Sequence, residues 1–108
     1  MSDQDSPTAS SSDLEATART LRAVAHPIRL RALGLFHDAD LSPVALARLM
    51  DEPRVSVGAL AYHVQRLAAA DLIALSQTIQ RRGAVEHRYS LTVRGRAVAR
   101  IVQELSTP

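Results

Sequence analysis

The stretch from Ser42 to Ala70 starts a helix twice in quick succession, and this constrains the chain more than any other feature. Ser42-Pro43 is a strong helix start. The serine oxygen can accept from the first turn, and the proline lacks only an N–H that has no partner there anyway. Val44, Leu46, Ala47, Leu49 and Met50 carry that helix to about Met50. Asp51-Glu52-Pro53-Arg54 reads as a turn, and Ser56 caps the next helix. Leu60, Val64 and Leu67 then recur at i, i+4 and i+7, a buried stripe on a helix that ends near Ala70. The pattern predicts a helix-turn-helix over 43–50 and 57–70.

The flanks extend the pattern. Residues 1–12 are Ser, Asp, Pro, Thr and Gln with little to bury, and read as a flexible acidic tail ahead of one domain over 13–108. Ser12 and Glu15 form an S-x-x-E capping box, and Leu14, Ala18, Leu21 and Ala25 share a face. His26-Pro27 ends that helix, because a residue before proline avoids the α region. Pro27 to about Phe36 is a second helix, His37 to Asp40 a turn, and Leu41 a short strand. Past the helix-turn-helix, Asp71 occupies a position that favours a left-handed residue. Leu72–Ile79 and Val85–Leu91 are strand-like, and Gln80–Ala84 between them gives a glycine turn with a basic tip. Thr92 caps a last helix whose Val93, Ala97, Val98, Ile101, Val102 and Leu105 make a wide apolar face.

The fold class is therefore mainly α with a small β-hairpin wing (α+β): a winged helix-turn-helix in the order α-α-(β)-α-α-β-β-α. Composition agrees. The 108 residues suit one domain, and with 46% hydrophobic residues but only Phe36, Tyr62 and Tyr89 as aromatics the core must be aliphatic.

Charge is uneven. Residues 1–15 carry four acids and no base, a net −4, whereas residues 54–100 carry eight Arg against Asp71 and Glu86, a net +6. A polyanion is the partner class this suggests, with an ordinary solvated surface as the alternative. The absence of cysteine excludes disulfides, thiolate metal sites and Cys nucleophiles. His26, His37, His63 and His87 have no metal-ligand spacing, so no metal and no cofactor is expected. No paired-carboxylate motif, nucleophile elbow or phosphate-cradling glycine loop is present, and no enzyme activity is expected. No apolar run approaches a membrane span and the N-terminus lacks signal-peptide regions, so the expected setting is cytoplasmic, away from membranes.

Four segments in this order resemble the ArsR-type winged helix-turn-helix transcriptional regulators. They are Ala25-His-Pro-Ile-Arg-Leu-Arg-Ala-Leu33, Leu41-Ser-Pro-Val-Ala-Leu-Ala-Arg-Leu49, Val57-Gly-Ala-Leu-Ala-Tyr-His-Val-Gln-Arg-Leu67 with Leu72-Ile73, and Arg81-Arg-Gly-Ala-Val-Glu-His-Arg-Tyr-Ser-Leu-Thr92. The resemblance lies within residues 20–92. It implies a bacterial, nucleoid-associated homodimer that places each recognition helix in a major groove of double-stranded DNA, more often to repress. It also implies dimerisation through the first and last helices. Many relatives sense metals through Cys clusters or last-helix Asp, His and Glu sets. This chain departs from both, since residues 93–108 contain no His and only Glu104.

With Leu60, Val64 and Leu67 inward, Val57, Gly58, Ala61, Tyr62 and Gln65 fall on the outer face. There Gln65 can read adenine and Ala61 can meet a thymine methyl; the alternative is a plain exposed helix. Ser56 and the amides after it can meet a phosphate, or simply cap. Arg54 and Arg66 suit phosphates, and Arg81 and Arg82 at the wing tip suit the minor groove or its phosphates. Arg88 either follows them or pairs with Glu86, and His63 either packs inward or touches phosphate. The dimerisation set is Leu14, Leu21 and Val24 with Val98, Ile101, Val102 and Leu105, against the alternative that the last helix only covers the core. Two further readings stay open: a winged-helix protein-interaction module, and the same regulator answering an unidentified small-molecule effector.

Overall fold

The computed structural model describes residues 9–108. Asp3 and Asp5 of the acidic tail lie outside the described residues. Five helices and one hairpin follow in order: α1 (Ser11–Val24), α2 (Pro27–Asp38), α3 (Pro43–Met50), α4 (Val57–Ala69), β1 (Ile73–Arg81), β2 (Ala84–Leu91) and α5 (Val93–Ser106). This is a winged helix-turn-helix.

The helix starts follow side-chain chemistry. Ser42, Ser56 and Thr92 each accept, through the side-chain oxygen, the amide of the residue three further on. His26 caps α2 differently, its Nδ1 accepting from the Ile28 amide at 3.2 Å. The start of α1 corrects the sequence reading. Ser10, not Ser12, is the cap, and Asp13, not Glu15, closes the box by accepting the Ser10 amide. Three consecutive serines compete for this role, and the box closes on the first, where an acid stands at the third helical position and the helix gains its longest run. A smaller correction falls on α2, which runs through His37 and Asp38 rather than turning after Phe36.

The core is aliphatic as expected. Leu33, Phe36, Leu46, Met50, Leu60, Val64, Leu67, Leu72, Ile73 and Leu91 are all buried, drawn from α2, α3, α4 and the root of the hairpin. Asp51 and Asp71 take left-handed backbone, with φ of 48° and 61°, and close the ends of α3 and α4. Leu41 forms a single antiparallel bridge with Tyr89, exchanging amide–carbonyl bonds of 3.0 and 2.9 Å. That bridge ties the hairpin to the residue just ahead of the helix-turn-helix.

β1 and β2 pair antiparallel from Ile73↔Leu91 to Arg81↔Ala84, with an irregularity between Leu75 and Gln77. The connection is tighter than the five-residue turn read from sequence. Only Arg82 and Gly83 lie between the strands, both at positive φ (28° and 82°), as a two-residue type I′ hairpin requires. Gly95 has a role that the sequence reading missed. A Cβ there would overlap the Leu72 carbonyl, so only glycine lets α5 start against the root of β1. Thr92 secures the joint, donating its hydroxyl to the Asp71 carbonyl (2.6 Å) and its amide to the Leu72 carbonyl (3.0 Å).

Candidate nucleic-acid interface

α4 divides cleanly. Leu60, His63, Val64 and Leu67 face inward. Val57, Gly58, Tyr62 and Gln65 are exposed, with Tyr62 59% accessible, and Ala61 is half-buried at the edge. The N-terminal half of α4 thus presents small and polar groups beside one tyrosine. Ser56 is exposed, and its Oγ accepts the Ala59 amide at 3.0 Å. A large phenol ring left in water gains nothing from burial, which makes Tyr62 a contact candidate. Arg29 lies near it, with its guanidinium carbon 5.9 Å from the ring centre.

His63 takes the inward alternative, which removes it from the candidate phosphate contacts. It is 8% accessible, its Nδ1 accepts from Arg29 Nε at 3.0 Å, and its ring centre is 4.5 Å from that of His26. Burial, then the neighbouring His26 and Arg29, push its pKa below the ordinary value. A neutral ring can accept the Arg29 bond, whereas a charged one could not. Its place between Leu60 and Val64 in the inward arc of the helix explains why it packs instead of reaching outward.

A groove of about 690 Å³ runs between this face and the hairpin. Ala61 and Gln65 of α4, Arg48 of α3, and Arg81, Val85 and Arg88 of the hairpin line it. The two helices and the wing therefore share one concavity. Arg48 was absent from the sequence reading. It stands four residues after Val44, itself 47% accessible, and that spacing was a signal that both share an outward face of α3. Arg66 goes the other way, lining a cavity on a different side of α4.

Several of these cations have partners in the free protein. Glu86 accepts from Arg81 Nε at 2.6 Å through Oε1 and from Arg88 Nε at 2.8 Å through Oε2. These bonds, that from Arg88 foremost, hold the Glu86 carboxyl below the usual carboxylate range. Arg88 thus takes the pairing alternative, and Arg81 joins it. Arg54 Nε lies 3.2 Å from Glu52 Oε1, and that hydrogen bond lowers the Glu52 pKa and raises that of Arg54. Exposed pairs of this kind are weak in water, and each guanidinium keeps further N–H groups free to turn to a phosphate. Arg82 makes no ion pair among the described residues. The described residues also hold no cluster of three His, Asp or Glu that could grip a metal ion, and no described helix is long and apolar enough to cross a membrane.

The dimerisation set divides. Leu14, Leu21, Ile101 and Leu105 are more than half accessible, Leu105 at 82%. Val24 is 4% accessible and belongs to the core, a correction with a simple cause: the last turn of α1 rotates it and Thr20 inward. Val98 is half-buried and packs against the core, and Val102 is half-buried beside α2. The inward face of α5 is Gly95 and Ala99, so much of its apolar surface is not needed to cover the core.

No protein-family model and no curated protein matches the chain. Solved structures do. HlyU from Vibrio cholerae superposes with a TM-score of 0.69 at 21% identity, over 90% of this chain and 98% of that one. NolR from Sinorhizobium fredii gives 0.68 at 24% identity, over 93% and 96%. The fragment 1–100 of Mb0332 from Mycobacterium bovis gives 0.64 at 22%, over 97% and 83%. Mb0332 is described as a homodimeric winged helix-turn-helix DNA-binding domain and a possible ArsR-family transcriptional regulator. At these identities the likeness establishes the fold.

Proposed function

We propose that the chain is a sequence-specific double-stranded DNA-binding regulator of transcription that acts as a homodimer and represses by occluding a promoter. The observation that carries this reading is the shared groove, in which Ala61 and Gln65 from the outward face of α4 and Arg81 and Arg88 of the wing border one concavity. The N-terminal half of α4 enters the major groove, with Gln65, Ala61 and Tyr62 at base edges and Val57 and Gly58 admitting close approach. Ser56 and the following amides meet a phosphate. Arg54, Arg81, Arg82 and Arg88 neutralise the flanking backbone, with Arg48 added from α3. Leu14 and Leu21 of α1 and Ile101 and Leu105 of α5 provide the apolar surface for a second copy. The homodimeric state given for the Mb0332 domain supports that arrangement. The work is done in the cytoplasm, at the nucleoid.

Binding to a duplex of the promoter upstream of its own gene, titrated with salt, tests the reading. We expect a log–log slope of about −4 or steeper, meaning several phosphates neutralised per dimer. Affinity should exceed that for scrambled DNA by about a thousandfold. Absence of binding to any duplex at low salt overturns it and favours a protein-interaction module, for which the exposed Val44, Leu49, Val57 and Tyr62 would supply the contact surface.

A further inference from the structure

The cavity on the other side of α4 has a volume of about 600 Å³, within the range of small-ligand sites. It opens between α1, α2, the C-terminal end of α4 and the start of α5. Five arginines from these four helices line it: Arg19 and Arg22 of α1, Arg29 of α2, Arg66 of α4 and Arg94 of α5. One carboxylate faces them, Asp71, whose Oδ2 lies 3.9 Å from Arg94 Nε.

Five cations around one acid repel one another unless something offsets them. Asp71 is the one acid set against them. The protein orients two of them with neutral acceptors. Arg29 donates through Nε to His63 Nδ1 at 3.0 Å and through Nη1 to the Ala23 carbonyl at 2.9 Å. Arg94 donates through Nη1 to the hydroxyl of buried Thr20 at 3.3 Å. Such acceptors fix a guanidinium without cancelling its charge, and each of these two keeps N–H groups to spare. Arg19, Arg22 and Arg66 make no side-chain hydrogen bond or ion pair among the described residues. Guanidinium forks held this way fit oxygens that carry shared negative charge.

We propose that this cavity binds a small, multiply charged oxyanion, bridged between Arg19 and Arg22 of α1 and Arg29, Arg66 and Arg94 of the other three helices. A phosphoryl compound and a polycarboxylate offer the same chemistry. The site stands whether or not the chain binds DNA, because its residues are not those of the groove beside the wing.

Calorimetric titration of the full chain with pyrophosphate and, separately, with citrate at constant ionic strength tests the proposal. Saturable binding of either supports it, pyrophosphate marking a phosphoryl ligand and citrate a polycarboxylate. Arg19→Gln/Arg22→Gln removes two exposed charges and should weaken binding by about tenfold or more, with an unchanged melting temperature. Asp71→Asn keeps a residue that tolerates left-handed backbone and removes the one carboxylate, so it should bind several-fold more tightly. Arg81→Gln/Arg82→Gln on the wing should stay within about twofold of the parent. The proposal fails if neither anion saturates, if Arg19→Gln/Arg22→Gln binds as the parent does, or if the wing pair loses as much.

Discussion

The root and the tip of the hairpin obey different constraints. At the root, Leu72, Ile73 and Leu91 are buried, Leu41 bridges to Tyr89, and Gly95 sits against the Leu72 carbonyl. At the tip, residues 80–85 are all exposed, and the turn is two residues at positive φ. The root is determined by packing, so its residues report on the fold. The tip is almost free of packing, so its residues are available for a partner. Within 20 residues the hairpin passes from a structural joint to an exposed basic tip.

The largest expected effect lies at the root. Gly95→Ala forces a methyl into backbone that cannot move independently, and should cost about 1–3 kcal/mol or more. Gly34→Ala is the natural contrast. It sits inside α2 with nothing within 4 Å of the added carbon, and should stabilise by about 0.5–1 kcal/mol through helix propensity. Urea unfolding of both variants checks the pair. Equal effects would mean that the joint is looser than the packing around it indicates.

The next effect separates reading from holding in the proposed DNA complex. Gln65→Ala should cost about 1–3 kcal/mol for each half-site of the specific duplex and little on scrambled DNA. Arg81→Ala/Arg82→Ala removes two cations from each subunit of the proposed dimer, so it should weaken both duplexes alike and reduce the salt slope by about 4, roughly one for each phosphate that the variant no longer neutralises. Fluorescence anisotropy at several salt concentrations distinguishes the two. A sequence-selective loss in the wing variant would reverse the assigned roles.

Much of this was legible in the sequence because the signals were local. The Ser42, Ser56 and Thr92 caps, the Leu60-Val64-Leu67 stripe and the left-handed Asp71 all depend on neighbours within a turn or two, and the structure has each of them. What escaped depends on interactions between distant residues. Gly95 matters because of Leu72, the choice between the two places open to His63 is made by Arg29 from 34 residues away, and Val24 joins a core that α1 alone does not define. Arg66 was read with Arg54 as suited to phosphates, but it stands one residue past Gln65, a rotation of about 100° along a helix, enough to send it to another cavity. The Ser12 cap failed for a different reason: three serines in a row offer the same chemistry, and spacing alone does not choose among them.

A smaller effect concerns acid. The pKa of His63 in the folded chain lies below its ordinary 6.5, so the unfolded chain takes up a proton that the folded chain refuses. This stability is fully present above pH 6.5 and is lost as the pH falls below that value toward the folded pKa. The lowered carboxyls of Glu52 and Glu86 act in a lower window, their contribution fading only as the pH falls below 4.5. Urea midpoints between about pH 7.5 and 5 should therefore decline in the parent and decline less in His63→Asn. Parallel declines would place the titrating group elsewhere.

The smallest effect returns to the tip and sets stability against binding there. Arg82 has a φ of 28°, a conformation that costs a residue with a Cβ about 1 kcal/mol or more and that asparagine tolerates. Asn-Gly is also the pair that two-residue type I′ hairpins favour. Arg82→Asn should therefore raise the melting temperature by a few degrees while removing one cation from the proposed phosphate contacts. If stability rises and duplex affinity falls together, the arginine occupies a strained position for which the fold has no use, and the tip is kept for its partner. If stability rises and affinity does not change, Arg82 is outside the proposed DNA interface, which then narrows to α4, α3 and the remaining arginines of the groove.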